Sequence, residues 1–164
     1  TCGLIMPKAL RFSDLGQGDK DDGQCKGQDI IGPSGACGLF RIDALEKIRD
    51  KQGYFDSRMF MYKEDCELAY RLFSAGFKSQ CISEAVVYHD RTASKKKGFF
   101  EDRKTKSKDI KKWSLTNQQI IFSKYFSKQN LSAKMSIVYY QIKVFIYILF
   151  FERYLLKYLF KSKE

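Results

Sequence analysis

The chain has 164 residues, 44% hydrophobic and 30% charged, a size and mixture suited to one modest soluble globular domain with a real core. Its five cysteines (Cys2, Cys25, Cys37, Cys66, Cys81) are odd in number and show no CxxC spacing, which argues against a disulfide framework or zinc site and for buried thiols in a reducing cytosol. The net charge of +11 is unevenly placed: residues 1–90 carry 12 basic and 14 acidic side chains, whereas residues 91–164 carry 18 basic and 5 acidic, the mark of a neutral working domain followed by a segment drawn to an anionic partner.

In chain order, the sequence opens with no signal peptide and runs at once into Gly3-Leu4-Ile5-Met6, as a fold entered partway would. Residues 2–6 read as a short buried strand stopped by Pro7. Residues 13–29, with four glycines and almost no apolar content, read as a long polar loop. An apolar, strand-like run is expected over 35–41, followed by a short helix that Asp43 caps and Glu46 closes as a capping box. Gly53-Tyr54-Phe55-Asp56 reads as a turn, and a helix is expected from Glu64 to about Ala75 with Gly76 as its stop. Residues 85–89 read as another strand and residues 95–112 as a charged linker, leading into two amphipathic helices over 116–127 and 132–160.

The helix starting at Glu64 carries the chemistry. At 100° per residue, Asp65, Leu68, Ala69 and Leu72 share one face, and Glu64, Glu67 and Arg71 share another. Glu67 and Arg71 form an i,i+4 pair in the favourable order, an ordinary helix-surface arrangement. Asp65 heads the apolar face and has two readings: an acid satisfying the first turn of a helix, or a general base at the rim of a cleft. Asp19-Lys20-Asp21 has the letters of a DxD motif but lies in the polar loop, and no glutamate completes a calcium loop around Asp22 and Gly23.

The run Gly53-Tyr54-Phe55-Asp56, Phe60, Tyr62, Glu64-Asp65, Glu67-Leu68, Arg71-Leu72, Gly76-Phe77 and Val87-Tyr88-His89 resembles the second half of the family 2 glycosyltransferases, in particular the rhamnosyltransferase-like group that builds bacterial surface polysaccharides. The resemblance extends over about residues 3 to 92, with Gln52 replacing one glycine of the family's pair and Glu67 standing where the family usually has Asp. It implies an α/β, GT-A (Rossmann-like) fold of which residues 1–94 are the acceptor-side half and residues 95–164 a basic helical tail. The nucleotide-binding half with its DxD motif would precede Thr1, so the fragment alone is expected to be inactive; the alternative is a non-catalytic remnant or a membrane- or nucleic-acid-binding module. The parent enzyme would move a sugar with inversion from a nucleoside diphosphate donor to a hydroxyl of a saccharide or polyprenyl-linked acceptor, assisted by Mg²⁺ or Mn²⁺. By the same resemblance, Asp65 is the catalytic base and Glu64 its acidic neighbour. Gly35, Ala36, Glu67 and Arg71 lie on the acceptor side, and His89 closes the donor site beside the metal.

In the tail, only eight apolar residues, Val144 to Phe151, run without a charge, short of the roughly 20 that a spanning helix needs. Aromatic and aliphatic residues mixed with lysine there suit an interfacial helix, with Val144, Ile148, Phe151 and Leu155 entering anionic lipid. The chain is accordingly expected on the inner face of the plasma membrane, in the cytoplasm. Packing against the catalytic domain or a second copy in a homodimer is the alternative. No nucleic-acid-reading module is visible.

Overall fold

The structure is a computed structural model that describes residues 1–23, 25–89 and 99–159, the side chains of residues 99, 100 and 102 excepted. The chain begins with an antiparallel hairpin, β1 (Leu4–Lys8) and β2 (Arg11–Asp14), paired Leu4 to Asp14, Ile5 to Ser13 and Lys8 to Arg11. The register shifts between Ile5 and Lys8. Pro7 sits in that irregularity, where its missing N–H costs no ladder bond, so it bends β1 rather than stopping it. The turn passes through Leu10 at φ +54°, with the side chain fully buried. This second strand was hidden in the sequence because it takes in Ser13 and Asp14, the first residues of the stretch that reads as a polar loop.

The 31–32 segment joins the hairpin at Leu4, whose N–H donates to the Gly32 carbonyl and whose carbonyl accepts from the Ile31 N–H, and Gly32 lies so close to the helix that follows that a Cβ there would come within 2.3 Å of the Ala69 Cβ. That helix is α2 (Glu64–Ser74), preceded by the short α1 (Ile42–Ile48). Gly76, at φ +86°, lies just past the end of α2 as expected. Residues 35–41 are turn and coil rather than strand, with Leu39 almost fully exposed, and residues 85–89 also run unpaired. The expected capping box is absent. Asp43 pairs with Arg41, Glu46 accepts from the Tyr54 hydroxyl, and no side chain caps α1.

The second part is helical earlier than the charge pattern indicates: α3 (Phe99–Thr105), α4 (Lys108–Tyr125), α5 (Leu131–Phe151) and α6 (Leu156–Leu159). Ser107 and Asn130 cap α4 and α5 with their side chains. Short 3₁₀ turns follow α4 and α5, and the expected single helix over 132–160 is broken at Glu152. That residue is buried and held by Arg103 and by Lys111 at 2.9 Å. Lys95, Lys96, Lys97 and Lys161 lie outside the described residues.

One core joins both segments: Leu4 and Leu10 of the hairpin, Cys66 and Ala69 of α2, Ile120, Ile121, Phe122 and Tyr125 of α4, and Ile137 of α5. Helix α4 is therefore part of the body to which the sequence reading made it an appendage. A second cluster packs Ala44 of α1 against Leu68 and Leu72 of α2. Cys2 and Cys25 form a disulfide that ties the polar loop to β1, contrary to the expectation of free thiols throughout. Of the others, Cys66 is buried, Cys81 half-buried and Cys37 exposed.

By length and composition α5 is apolar enough to cross a membrane, which the count of uninterrupted apolar residues did not reveal. Ile137 and Ile148 pack inward, while Met135, Val138, Ile142, Phe145, Ile146, Leu149 and Phe150 are exposed. Ile148 and Leu155, expected on the lipid-facing side, are instead buried in the protein, with 1% and 0% exposure.

Candidate active site

A cleft of about 840 Å³ opens between the hairpin, the 34–36 loop, the start of α2 and the facing sides of α3 and α4. It brings together five of the seven residues singled out from the sequence: Gly35, Ala36, Glu64, Asp65 and His89. The other two, Glu67 and Arg71, do not line it.

Delivery of the two carboxylates into the cleft depends on an unusual turn. Tyr62 and Lys63 both adopt φ +69°, a left-handed conformation that costs a non-glycine residue energy and needs support. Asn117 of α4 supplies that support: fully buried, its side-chain amide donates to the carbonyls of Met61 at 2.8 Å and Tyr62 at 2.7 Å. Pattern alone does not single out this residue, which looks like one polar position of an amphipathic helix until α4 is seen to pack here.

Asp65 is half-buried, and both of its oxygens are engaged. Oδ2 accepts from the Gly35 N–H at 2.9 Å and Oδ1 from the Cys66 N–H at 2.7 Å. These bonds fix the carboxylate plane and tie the 34–36 loop to α2, while each oxygen keeps a lone pair for a further donor. Glu64 differs. Its Oε2 is buried without a hydrogen-bond partner among the described residues, and burial, with a smaller contribution from the charge on Asp65, raises its pKa above the usual carboxylate range. Two adjacent carboxyls thus have unlike environments: Asp65 is held by two backbone N–H groups, whereas Glu64 is buried without a partner among the described residues and inclined to keep its proton. Burial also pushes the Cys66 thiol well up, so it is a packing residue and not a nucleophile.

The α3–α4 wall is cationic, with Arg103, Lys106 and Lys111 reaching the cleft, and Lys63 adds a fourth cation from the turn before α2. His89 is exposed at its margin on unpaired backbone. Among the described residues no group of three or more His, Cys, Asp or Glu side chains is placed to hold a metal ion.

The expectation of a surface pair at Glu67 and Arg71 is overturned. Glu67 is fully buried and accepts from Arg71 Nε at 3.0 Å, Lys124 Nζ at 2.6 Å and the Tyr125 hydroxyl at 2.5 Å. Lys124 also reaches Asp56 at 3.1 Å, and Arg71 donates to the carbonyls of Ile48, Gly53 and Tyr54. The pair is therefore the hub of a buried network joining α2, α4 and the 50–58 turn. Helical spacing placed the two residues on one face correctly, but only the packing of α4 shows that this face is covered.

Over 61 residues, 37% of this chain, the sequence is 41% identical to the N-acetylglucosaminyl-diphospho-decaprenol L-rhamnosyltransferase of two strains of Mycobacterium tuberculosis. The matched stretch spans about a fifth (19%) of each relative's length. No family model matches the chain, and no solved structure does. The likeness supports a glycosyltransferase-related, rhamnosyltransferase-like origin.

Proposed function

We propose that this chain forms the acceptor side of an inverting GT-A glycosyltransferase that transfers a sugar, rhamnose or another hexose, from a nucleoside diphosphate donor to a hydroxyl of a saccharide carried on a polyprenyl diphosphate. The observation that carries the reading is the convergence of Asp65, Glu64, Gly35, Ala36 and His89 on one cleft, together with the partial likeness to transferases whose name specifies such an acceptor.

In this mechanism Asp65, held by the Gly35 and Cys66 N–H groups, takes the proton of the acceptor hydroxyl as its oxygen attacks the anomeric carbon. The bond from that carbon to the donor diphosphate breaks on the opposite face, which inverts the configuration. Glu64 holds its proton more readily and donates a hydrogen bond to an acceptor oxygen. Gly35 and Ala36 leave room for the acceptor beside Asp65. His89 faces the donor side, and a divalent ion there needs further ligands from outside the described residues.

The protein works in this account at the cytoplasmic membrane surface. Helix α5 lies on the bilayer rather than across it, because its inner side is committed to the core through Ile137 and Ile148. The exposed residues of α5 and the excess of lysine and arginine supply the apolar and electrostatic parts of the attraction. The test is transfer by the full-length gene product from nucleotide sugars to a polyprenyl-diphosphate-linked saccharide, analysed for anomeric configuration. A product of inverted configuration supports the reading, and a retained one contradicts it.

A further inference from the structure

A second cavity of about 340 Å³ lies in the seam between α4 and α5, against α3. It shares Lys63, Arg103, Lys111 and Ser114 with the main cleft, so the two hollows meet at a cationic neck. Beyond the neck the walls are mainly apolar, with Leu115 of α4 and Val144, Tyr147 and Ile148 of α5, while Gln118, Gln119 and Lys143 supply polar groups along the seam. Continuing outward along α5, Phe145, Ile146 and Leu149 are exposed.

The neck has more positive than negative charge. Arg103 and Lys111 share one carboxylate, Glu152. The Lys63 side chain is half-buried and its ammonium forms no hydrogen bond or salt bridge with a described residue; burial lowers its pKa, and the charge on Asp65 opposes that shift. A partly buried ammonium with no direct ion-pair partner is stabilised by an incoming anion. A polar cleft, a cationic neck and an apolar seam in series match one kind of molecule: an amphiphile with a sugar, a diphosphate and a hydrocarbon chain.

We infer that the α4–α5 seam is the site for the lipid end of the acceptor, with Lys63, Arg103 and Lys111 gripping the diphosphate and the first isoprenoid units lying against Leu115, Val144 and Tyr147. This rests on the proposed acceptor class and adds the residues that hold it. The saccharide then points into the main cleft toward Asp65, and the rest of the chain leaves over the exposed side of α5.

The test uses calorimetry on the 164-residue chain with four probes: farnesyl diphosphate below its micellar concentration, inorganic pyrophosphate, farnesol and a nucleoside diphosphate. Farnesyl diphosphate is expected to bind at least about tenfold more tightly than pyrophosphate through burial of its hydrocarbon, and more tightly than the nucleoside diphosphate. Lys63→Asn suits the left-handed backbone there. It should weaken both farnesyl diphosphate and pyrophosphate by about tenfold, the loss of one charge-assisted bond. Val144→Gln, on a different helix, should abolish the advantage of farnesyl diphosphate and leave pyrophosphate binding unchanged, with circular dichroism confirming the fold of both variants. Equal affinity for farnesyl diphosphate and pyrophosphate, a preference for the nucleoside diphosphate, or indifference to both substitutions overturns the inference. Failure of the transferase reading appears in turnover of the full-length gene product, whereas failure of this inference appears in farnesyl diphosphate binding, so the two are read separately.

Discussion

Replacing Glu67 with alanine removes the centre of the buried network. Arg71, Lys124 and Tyr125 each lose a partner at 3.0, 2.6 and 2.5 Å. Breaking a buried ion pair from one side costs about 3–5 kcal/mol because the remaining charge stays desolvated. Here Lys124 keeps Asp56 and Arg71 keeps three backbone carbonyls, so the lower end, about 3 kcal/mol, is expected. Glu67→Gln keeps the volume and one acceptor oxygen and should cost about 1–2 kcal/mol. Urea unfolding followed by Trp113 fluorescence, at constant m-value, measures both. A loss below about 0.5 kcal/mol for Glu67→Ala, the range of ordinary surface substitutions, refutes the hub. Loss of acceptor binding at unchanged stability would instead return Glu67 to the acceptor site.

Three further outcomes follow from the packing and the charges. Gly32→Ala should destabilise the protein by about 1–3 kcal/mol, the usual cost of overpacking, because the new methyl meets the Ala69 Cβ; an unchanged urea midpoint counts against that close approach. Asp56 has its pKa lowered chiefly by the Arg58 hydrogen bond, and Glu152, despite burial, by Arg103 and Lys111. Folded-state pKa values below the unfolded ones mean that their stabilisation is complete above the normal carboxylate range and lost as pH falls below it. Stability should therefore decline on acidification through that range, and Asp56→Asn should flatten the decline; an identical acid profile in the variant contradicts the assignment. Binding to anionic vesicles should weaken with salt without vanishing, and Ile146→Glu should remove most of the salt-resistant part; an unaffected variant shows that α5 does not meet lipid.

The local pattern was legible where one element explains itself. The extent of α2, its Gly76 stop and the turn at 53–56 follow from spacing and turn chemistry alone. Helix α4 was legible only from about residue 116, because its first residues are lysine-rich and read as a linker, and its packing against the body was not legible at all, so three consequences were lost. Asn117 under the strained turn, Lys124 beneath Glu67 and the cationic wall of the cleft all come from α3 and α4. The short apolar runs at 35–41 and 85–89 have strand composition but no partner among the described residues, and composition does not report on pairing. The disulfide escaped notice because an odd cysteine count carries no pairing information.

The central claim is that Asp65 is a general base, and turnover of Asp65→Asn in the full-length gene product tests it most directly. The substitution keeps shape and one of the two backbone hydrogen bonds, so the expected stability cost is about 1 kcal/mol. Assayed well below the unfolding transition, sugar transfer should fall by about 10²–10⁴-fold while acceptor binding persists. Near-full turnover in that variant would contradict the account and leave Asp65 as the residue that ties the 34–36 loop to α2.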